Sequence, residues 1–338
     1  MKFSKITLLL LISIIILSTF SLFVGVIDIS FQELAAGNFD QLQILFISRL
    51  PRLLAILCTG VGMSVAGLIM QQLCANKFVS PTTGATISSA QLGILLAFLF
   101  MPSSTIWSRA IFSAVCAILG TWIFVWFVQR VPFKDVIMVP LVGIMFGNII
   151  GGMTNYLAYQ YSMTQALSSW LVGSFSTILR GRYEIVYLAL PLVVIAFIFA
   201  NHFNIVGMGK DFSKNLGVSY NLVLFMGLTI AAMITASIVV VVGSISYIGL
   251  IVPNIVAMFK GDKIRGTLVD TALFGALFVL VCDMIGRLLI APYELPIELI
   301  VGVFGSLIFI ALLIYRLGHG SKALRIKKGT AAIGGNGQ

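Results

Sequence analysis

The stretch LVLFMGLTIAAMITASIVVVVGSISYIGLIVPNIVAMF, residues 222–259, contains no charged residue and is interrupted only around Gly243–Ser246. Its first part, 222–243, is long enough to cross a bilayer core as one helix, which takes about 20 apolar residues. Its second part, 246–259, is too short to cross straight, so it is expected to pack as a half-length helix shielded by its neighbours. The same pattern extends outward on both sides. Apolar runs bounded by charges, Pro or Gly fall at 6–27, 53–74, 84–101, 107–128, 136–157, 184–201, 269–290 and 297–315. Of the 338 residues, 59% are hydrophobic and only 9% are charged, whereas a soluble domain carries roughly 25% charged residues. The reading is an all-α, polytopic integral membrane protein of about ten transmembrane helices. Residues 1–320 form a single transmembrane domain, and 321–338 form a flexible, basic, Gly-rich tail.

The formal net charge of +10 could suggest a nucleic-acid partner, but the basic residues fall in short clusters between apolar runs. With the N-terminus inside, Lys2, Lys5, Lys77, Arg130, Lys134, Lys210, Lys214, Lys260, Lys263, Arg265, Arg316, Lys322, Arg325, Lys327 and Lys328 are cytoplasmic. That is fifteen, against six external arginines: Arg49, Arg52, Arg109, Arg180, Arg182 and Arg287. Every lysine falls inside, which is the bias expected of ten spans with both termini cytoplasmic. The partner of that charge is the anionic inner leaflet of the bilayer, and no nucleic acid is implied. Lys2 and Lys5 ahead of 6–27 imitate a signal peptide, yet the run is long and no A-x-A site follows it, so a retained first span is expected. Cys58, Cys74, Cys116 and Cys282 lie inside apolar runs without zinc or CxxC spacing and read as small membrane-core residues.

Catalytic chemistry is missing. No GxxxxGK[ST] occurs, and Gly207-Met208-Gly209-Lys210 lacks both its spacing and its Ser/Thr, so no phosphate-cradling loop is formed. HExxH and GxSxG are absent as well, His202 and His319 sit at span ends, and no metal or cofactor is expected. Asp283 and Arg287 stand i,i+4 on one helix face and read as a structural ion pair, although Asp283 is also the one candidate for proton coupling. Gly143, Gly147 and Gly151 form a GxxxGxxxG ridge of the kind that lets helices approach closely in lipid.

Five motifs then follow in order. Arg49-Leu50-Pro51-Arg52 opens the second run, with Gly67 and Gln71 behind it. NKFVSPTTGA occupies 76–85, GSISYIGLIVPNIVAMFKGD occupies 243–262, and Asp283, Arg287 and Glu294-Leu295-Pro296 close the series. In this order and spacing the chain resembles the FecCD-type permeases, the membrane subunits of ABC importers for iron–siderophore complexes, haem and cobalamin. It departs from their usual pattern at Lys77-Phe78, which replace Pro-Leu, at Asn254, which replaces His, and at Glu298, which replaces Gly. NKFVSPTT, SSWLVGSFS (168–176) and PIEL (296–299) look most like the branch that handles catecholate and related siderophores, petrobactin and anguibactin among them.

The resemblance implies a transport subunit rather than an enzyme, in a bacterial cytoplasmic membrane. Its implied partners are a second permease chain, a cytoplasmic ABC ATPase and an extracytoplasmic siderophore-binding lipoprotein. Arg49, Arg52 and Arg287 would meet acidic groups of the binding protein, a role that suits guanidinium forks, although interfacial anchoring explains them too. Lys210, Asp211, Lys214, Asn215, Leu216 and Gly217, in the loop 210–221, would couple to the ATPase. Asn76, Lys77, Ser80 and Pro81 would form the inner gate, although a plain turn has the same composition. The pathway would be lined by the fifth, eighth and tenth spans and by 158–183, where Tyr156, Tyr159, Tyr161 and Trp170 serve either the cargo or the membrane interface. The rival reading is a secondary transporter driven by an ion gradient without an ATPase.

Overall fold

A computed structural model describes residues 5–25, 39–103, 105–131, 138–181, 183–261, 264–312 and 314. The tail 321–338 and the loop charges Lys2, Lys134, Arg182, Lys263 and Arg316 lie outside the described residues. The chain is helical, in the order α1 (Lys5–Phe23), α2 (Phe39–Leu73), α3 (Thr86–Phe100), α4 (Ile106–Arg130), α5 (Met138–Gln160), α6 (Thr164–Leu171), α7 (Ala189–Ile198), α8 (Ala200–Gly207), α9 (Lys210–Asn215), α10 (Tyr220–Val242), α11 (Ile248–Lys260), α12 (Ile264–Leu288) and α13 (Ile297–Leu312). Six of these, α1, α2, α4, α5, α10 and α12, are long and apolar enough to cross a membrane. A seventh is added if α7, preceded by the turn Glu184–Leu188, and α8 count as one span bent by 63°. The helices α3, α11 and α13 are apolar but shorter.

One boundary differs from the sequence reading. The second span does not begin at 53. Instead α2 runs from Phe39 through Pro51, with a π-turn at Leu45–Arg49 just ahead of the proline. The cause is local. Proline has no N–H for the carbonyl four residues back, and its ring crowds that carbonyl. The wider π-turn makes room, and the carbonyl of Ile47 accepts a hydrogen bond from the backbone N–H of Arg180 at 3.0 Å.

The helix α2 is the centre of the bundle, with 83% of its apolar window buried, against 17% for α1 and 22% for α5. Its small residues allow this. A side chain on Gly60 would run into the backbone of Gly275 and Ala276 on α12, and one on Gly67 into the backbone of Gly249 on α11. Where lipid removes the hydrophobic drive between helices, such close backbone packing is what holds them together. Along the α5 ridge, Gly143 lies against the Thr83 carbonyl, and a Cβ on Gly147 would sit 3.2 Å from the Ser88 hydroxyl. Gly151 packs on nothing within the described chain, since a Cβ there meets no atom within 4 Å.

Candidate functional site

At one end of the bundle α2 and α12 meet through charge. Arg52 places Nη2 2.8 Å from Asp283 Oδ1 and Nη1 2.8 Å from Glu294 Oε2. Arg287 Nη2 lies 2.7 Å from Asp283 Oδ2, across one helical turn. Arg287 also donates to the carbonyls of Ser21 at 3.0 Å and Val24 at 2.9 Å, and Arg49 donates to the same Val24 carbonyl. Charges out of water are costly unless paired and hydrogen-bonded, and here two acids and two arginines pair with one another while Arg287 ties α1 to the bundle. A cavity of about 760 Å³ opens above, lined by Asp40, Ser48, Arg49, Arg52 and Glu294 among others. Arg49 and Arg52 therefore reach its wall, whereas Arg287, 5% exposed, is buried and not part of that wall. The sequence motif contained Glu294 but gave it no role.

The helix α11 has 13 residues, about 20 Å of rise, against a hydrocarbon core of about 30 Å. Its C-terminal Lys260 pairs with Asp270, which also accepts from Thr7 Oγ1 at 2.6 Å. Neither Asp270 nor Thr7 had been singled out by sequence. A helix of this length anchored at one surface through Lys260 would end inside the apolar layer. Non-helical backbone there must have its polar groups met by protein, and it does. Val172 and Ser244 form a parallel bridge, Ser244 N–H donates to the Leu171 carbonyl at 2.9 Å, and Ser174 N–H donates to the Val242 carbonyl at 2.9 Å. Glu298, at the start of α13, closes the junction: its carboxylate accepts from Gly173 N–H at 3.3 Å, and its own N–H donates to the Gly173 carbonyl at 3.2 Å.

A second proline repeats the logic of Pro51. Pro253 sits inside α11 and offers no N–H to the carbonyl of Gly249. Gln71 of α2 supplies the missing donor, with Nε2 3.2 Å from the carbonyls of both Gly249 and Leu250. Asn254 Nδ2 donates to the Leu250 carbonyl at 2.7 Å and to the Lys77 carbonyl at 2.8 Å. The 76–85 segment is itself closed by side chains. Asn76 Oδ1 accepts from Phe78 N–H at 2.9 Å, Ser80 N–H donates to Thr83 Oγ1 at 2.9 Å, and that hydroxyl donates to the Phe78 carbonyl at 3.0 Å. Asn76, Ser80 and Pro81 are buried and Lys77 is half-buried, so the four residues read as a gate form one hydrogen-bonded loop against α11.

Lys210, Asp211, Lys214 and Asn215 lie on the short helix α9, followed by Leu216 and Gly217. Gly209 and Gly217 flank it with φ of 108° and 72°, values that favour glycine. Ser213 pins the inner side by donating to the carbonyls of Ile205 and Gly209. Phe212 and Leu216, one turn apart, are exposed, as is Met208 ahead of Gly209. Sequence reading took the loop as polar and missed the exposed pair Phe212 and Leu216, whose signal was the i,i+4 spacing. Tyr156, Tyr159 and Tyr161 are exposed, whereas Trp170 is occupied, stacked on Phe98 at 3.7 Å with Arg109 on that phenyl ring at 4.1 Å.

Residues 10–315 match the model of the FecCD transport family. Over 307 residues the chain is 45% identical to the petrobactin import system permease protein of Bacillus subtilis (strain 168), covering 91% of this chain and 97% of that protein. It is 35% identical over 294 residues to the ferric-anguibactin transport system permease protein of Vibrio anguillarum (strain ATCC 68554 / 775), covering 87% and 94%. The fold matches a solved inward-facing metal-chelate type ABC transporter with a TM-score of 0.79 at 24% identity, over 93% of this chain and 100% of that one. With its buried α2, its half-length α11 and a family match along almost its whole length, the chain belongs to the FecCD transport family.

Proposed function

We propose that this chain is the permease subunit of an ABC importer that moves a ferric siderophore, catecholate in type, across the cytoplasmic membrane of a bacterium. The observation that carries the reading is the 45% identity to a petrobactin import permease along 91% of the chain. In this reading the chain makes ten passes with both ends cytoplasmic and pairs with a second permease chain. A binding lipoprotein seats an acidic group in the cavity over Arg49 and Arg52, and Arg287 supports it by holding Asp283. A cytoplasmic ATPase grips α9 through the exposed Phe212 and Leu216, which stand among Lys210, Asp211, Lys214 and Asn215. Its strokes reach the loop 76–85 and α11, where the contacts to be broken are neutral amide–carbonyl hydrogen bonds, each worth about 1 kcal/mol.

The test is reconstitution with the ATPase and the binding protein in proteoliposomes, following radioactive iron supplied as ferric petrobactin. Uptake should require ATP and all components, and the permease alone should hydrolyse none. Uptake by the permease alone under a proton gradient would overturn the reading in favour of a secondary transporter.

A further inference from the structure

Below the 171–174 junction, α11, α13, the start of α5 and the 76–85 loop enclose a cavity of about 410 Å³. That volume lies within the range of small-molecule sites, roughly 300–1,000 Å³. Phe78 and Phe309 form one wall, edge to face with ring centroids 6.0 Å apart. Leu141 and Ile144 of α5 extend the apolar surface, and Thr82, Ser246 and Tyr247 add hydroxyl groups. These three hydroxyls have no hydrogen-bond partner among the described residues, although their side chains are partly covered.

Tyr247 is the informative residue. Its φ of 67° and ψ of −27° place it in the left-handed region, at the first turn of α11. Glycine takes that conformation freely, whereas a bulky side chain there is strained, and such strain gathers at binding sites and switches. A phenol kept in that position presents a ring and a hydroxyl to the cavity at the cost of a strained backbone. A lipid tail would fill the volume but leave three hydroxyls unmatched, an unfavourable burial. A flat ring bearing hydroxyl groups satisfies both walls, by stacking edge to face on phenylalanine and by hydrogen bonding to the three hydroxyls.

We propose that the cavity between Phe78, Tyr247 and Phe309 is a binding subsite for a hydroxylated aromatic ring of the transported chelate, met on the inner half of the path. This rests on the reading of the chain as a permease for an aryl-bearing siderophore.

The probe is 3,4-dihydroxybenzamide, with benzamide as its deoxy counterpart, added to the complete transporter assembly in lipid nanodiscs. Binding is read by saturation-transfer NMR, and ferric petrobactin uptake is measured in parallel. The wild type should prefer the hydroxylated ring about tenfold. Tyr247→Phe, which removes one oxygen and keeps the ring, should cut that preference roughly threefold, and Thr82→Val should act in the same direction. Phe309→Leu should weaken both probes alike. A purely structural role for Tyr247 would not change the preference between two small probes. Absence of probe binding, or a preference unchanged in both Tyr247→Phe and Thr82→Val, overturns the subsite. Binding to the isolated chain but not to the assembly overturns it too, because a partner side chain then fills the cavity. Selective binding without iron uptake supports the subsite and rejects the transport reading, whereas uptake without selective binding does the reverse.

Discussion

Asp283 faces two guanidinium groups at once, accepting from Arg52 at 2.8 Å and ion-paired with Arg287 at 2.7 Å, while itself 4% exposed. Removing one member of a buried ion group leaves its partners uncompensated, at a cost of about 3–5 kcal/mol. Asp283→Ala should therefore lower the melting temperature of the detergent-solubilised chain sharply, and replacing Arg287 by Met in the same chain should recover part of the loss. A melting temperature untouched by Asp283→Ala would show that water, not the acid, satisfies both arginines. Half of this arrangement was legible in the sequence, because i,i+4 spacing puts Asp283 and Arg287 on one face whatever the fold. Arg52 and Glu294 were not legible as partners. Their meeting depends on the depth at which α2 packs against α12, and that depth is set by Gly60 resting on Gly275 and Ala276. For the same reason the three arginines read as a docking set were alike in sequence and differ in space, Arg49 and Arg52 lining the cavity and Arg287 buried off its wall.

Between elements, Pro51 and Pro253 each release a carbonyl that another part of the chain takes up. Pro253 releases Gly249, met by Gln71, and Pro51 releases Ile47, met by Arg180. This makes a double-mutant prediction. Gln71→Leu alone should destabilise the chain by roughly 1–3 kcal/mol, the cost of an unsatisfied buried polar group. In a Pro253→Ala background the restored N–H of residue 253 bonds Gly249 within the helix, and Gln71→Leu should then cost clearly less. Equal costs in the two backgrounds, read from thermal unfolding, would mean that the Gln71 amide does not replace the missing donor. The apolar runs that became helices were readable because lipid demands about 20 unbroken apolar residues. The start of α2 was not, because Arg49, Pro51 and Arg52 look like a loop until the π-turn at Leu45–Arg49 is seen to carry the helix past them.

At the scale of the whole molecule, the cavity over Arg49 and Arg52 offers Arg49 as a test residue, since Arg49 donates to the Val24 carbonyl whereas Arg52 braces the fold through the carboxylates of Asp283 and Glu294. Arg49→Glu should slow association of the binding protein by about tenfold at low salt, an effect that shrinks as salt rises. Arg52→Glu should do the same while also lowering the melting temperature. If surface plasmon resonance finds association unchanged for Arg49→Glu, the docking face lies elsewhere. The carbonyl of Ile47 carries a further consequence, one of timing. Its donor, the N–H of Arg180, leaves the ribosome about 130 residues after it, on the order of ten seconds later at 5–20 residues per second. The most enclosed helix of the bundle is therefore made with the carbonyl of Ile47 unmet, and this turn waits on a segment from the middle of the chain before it is complete.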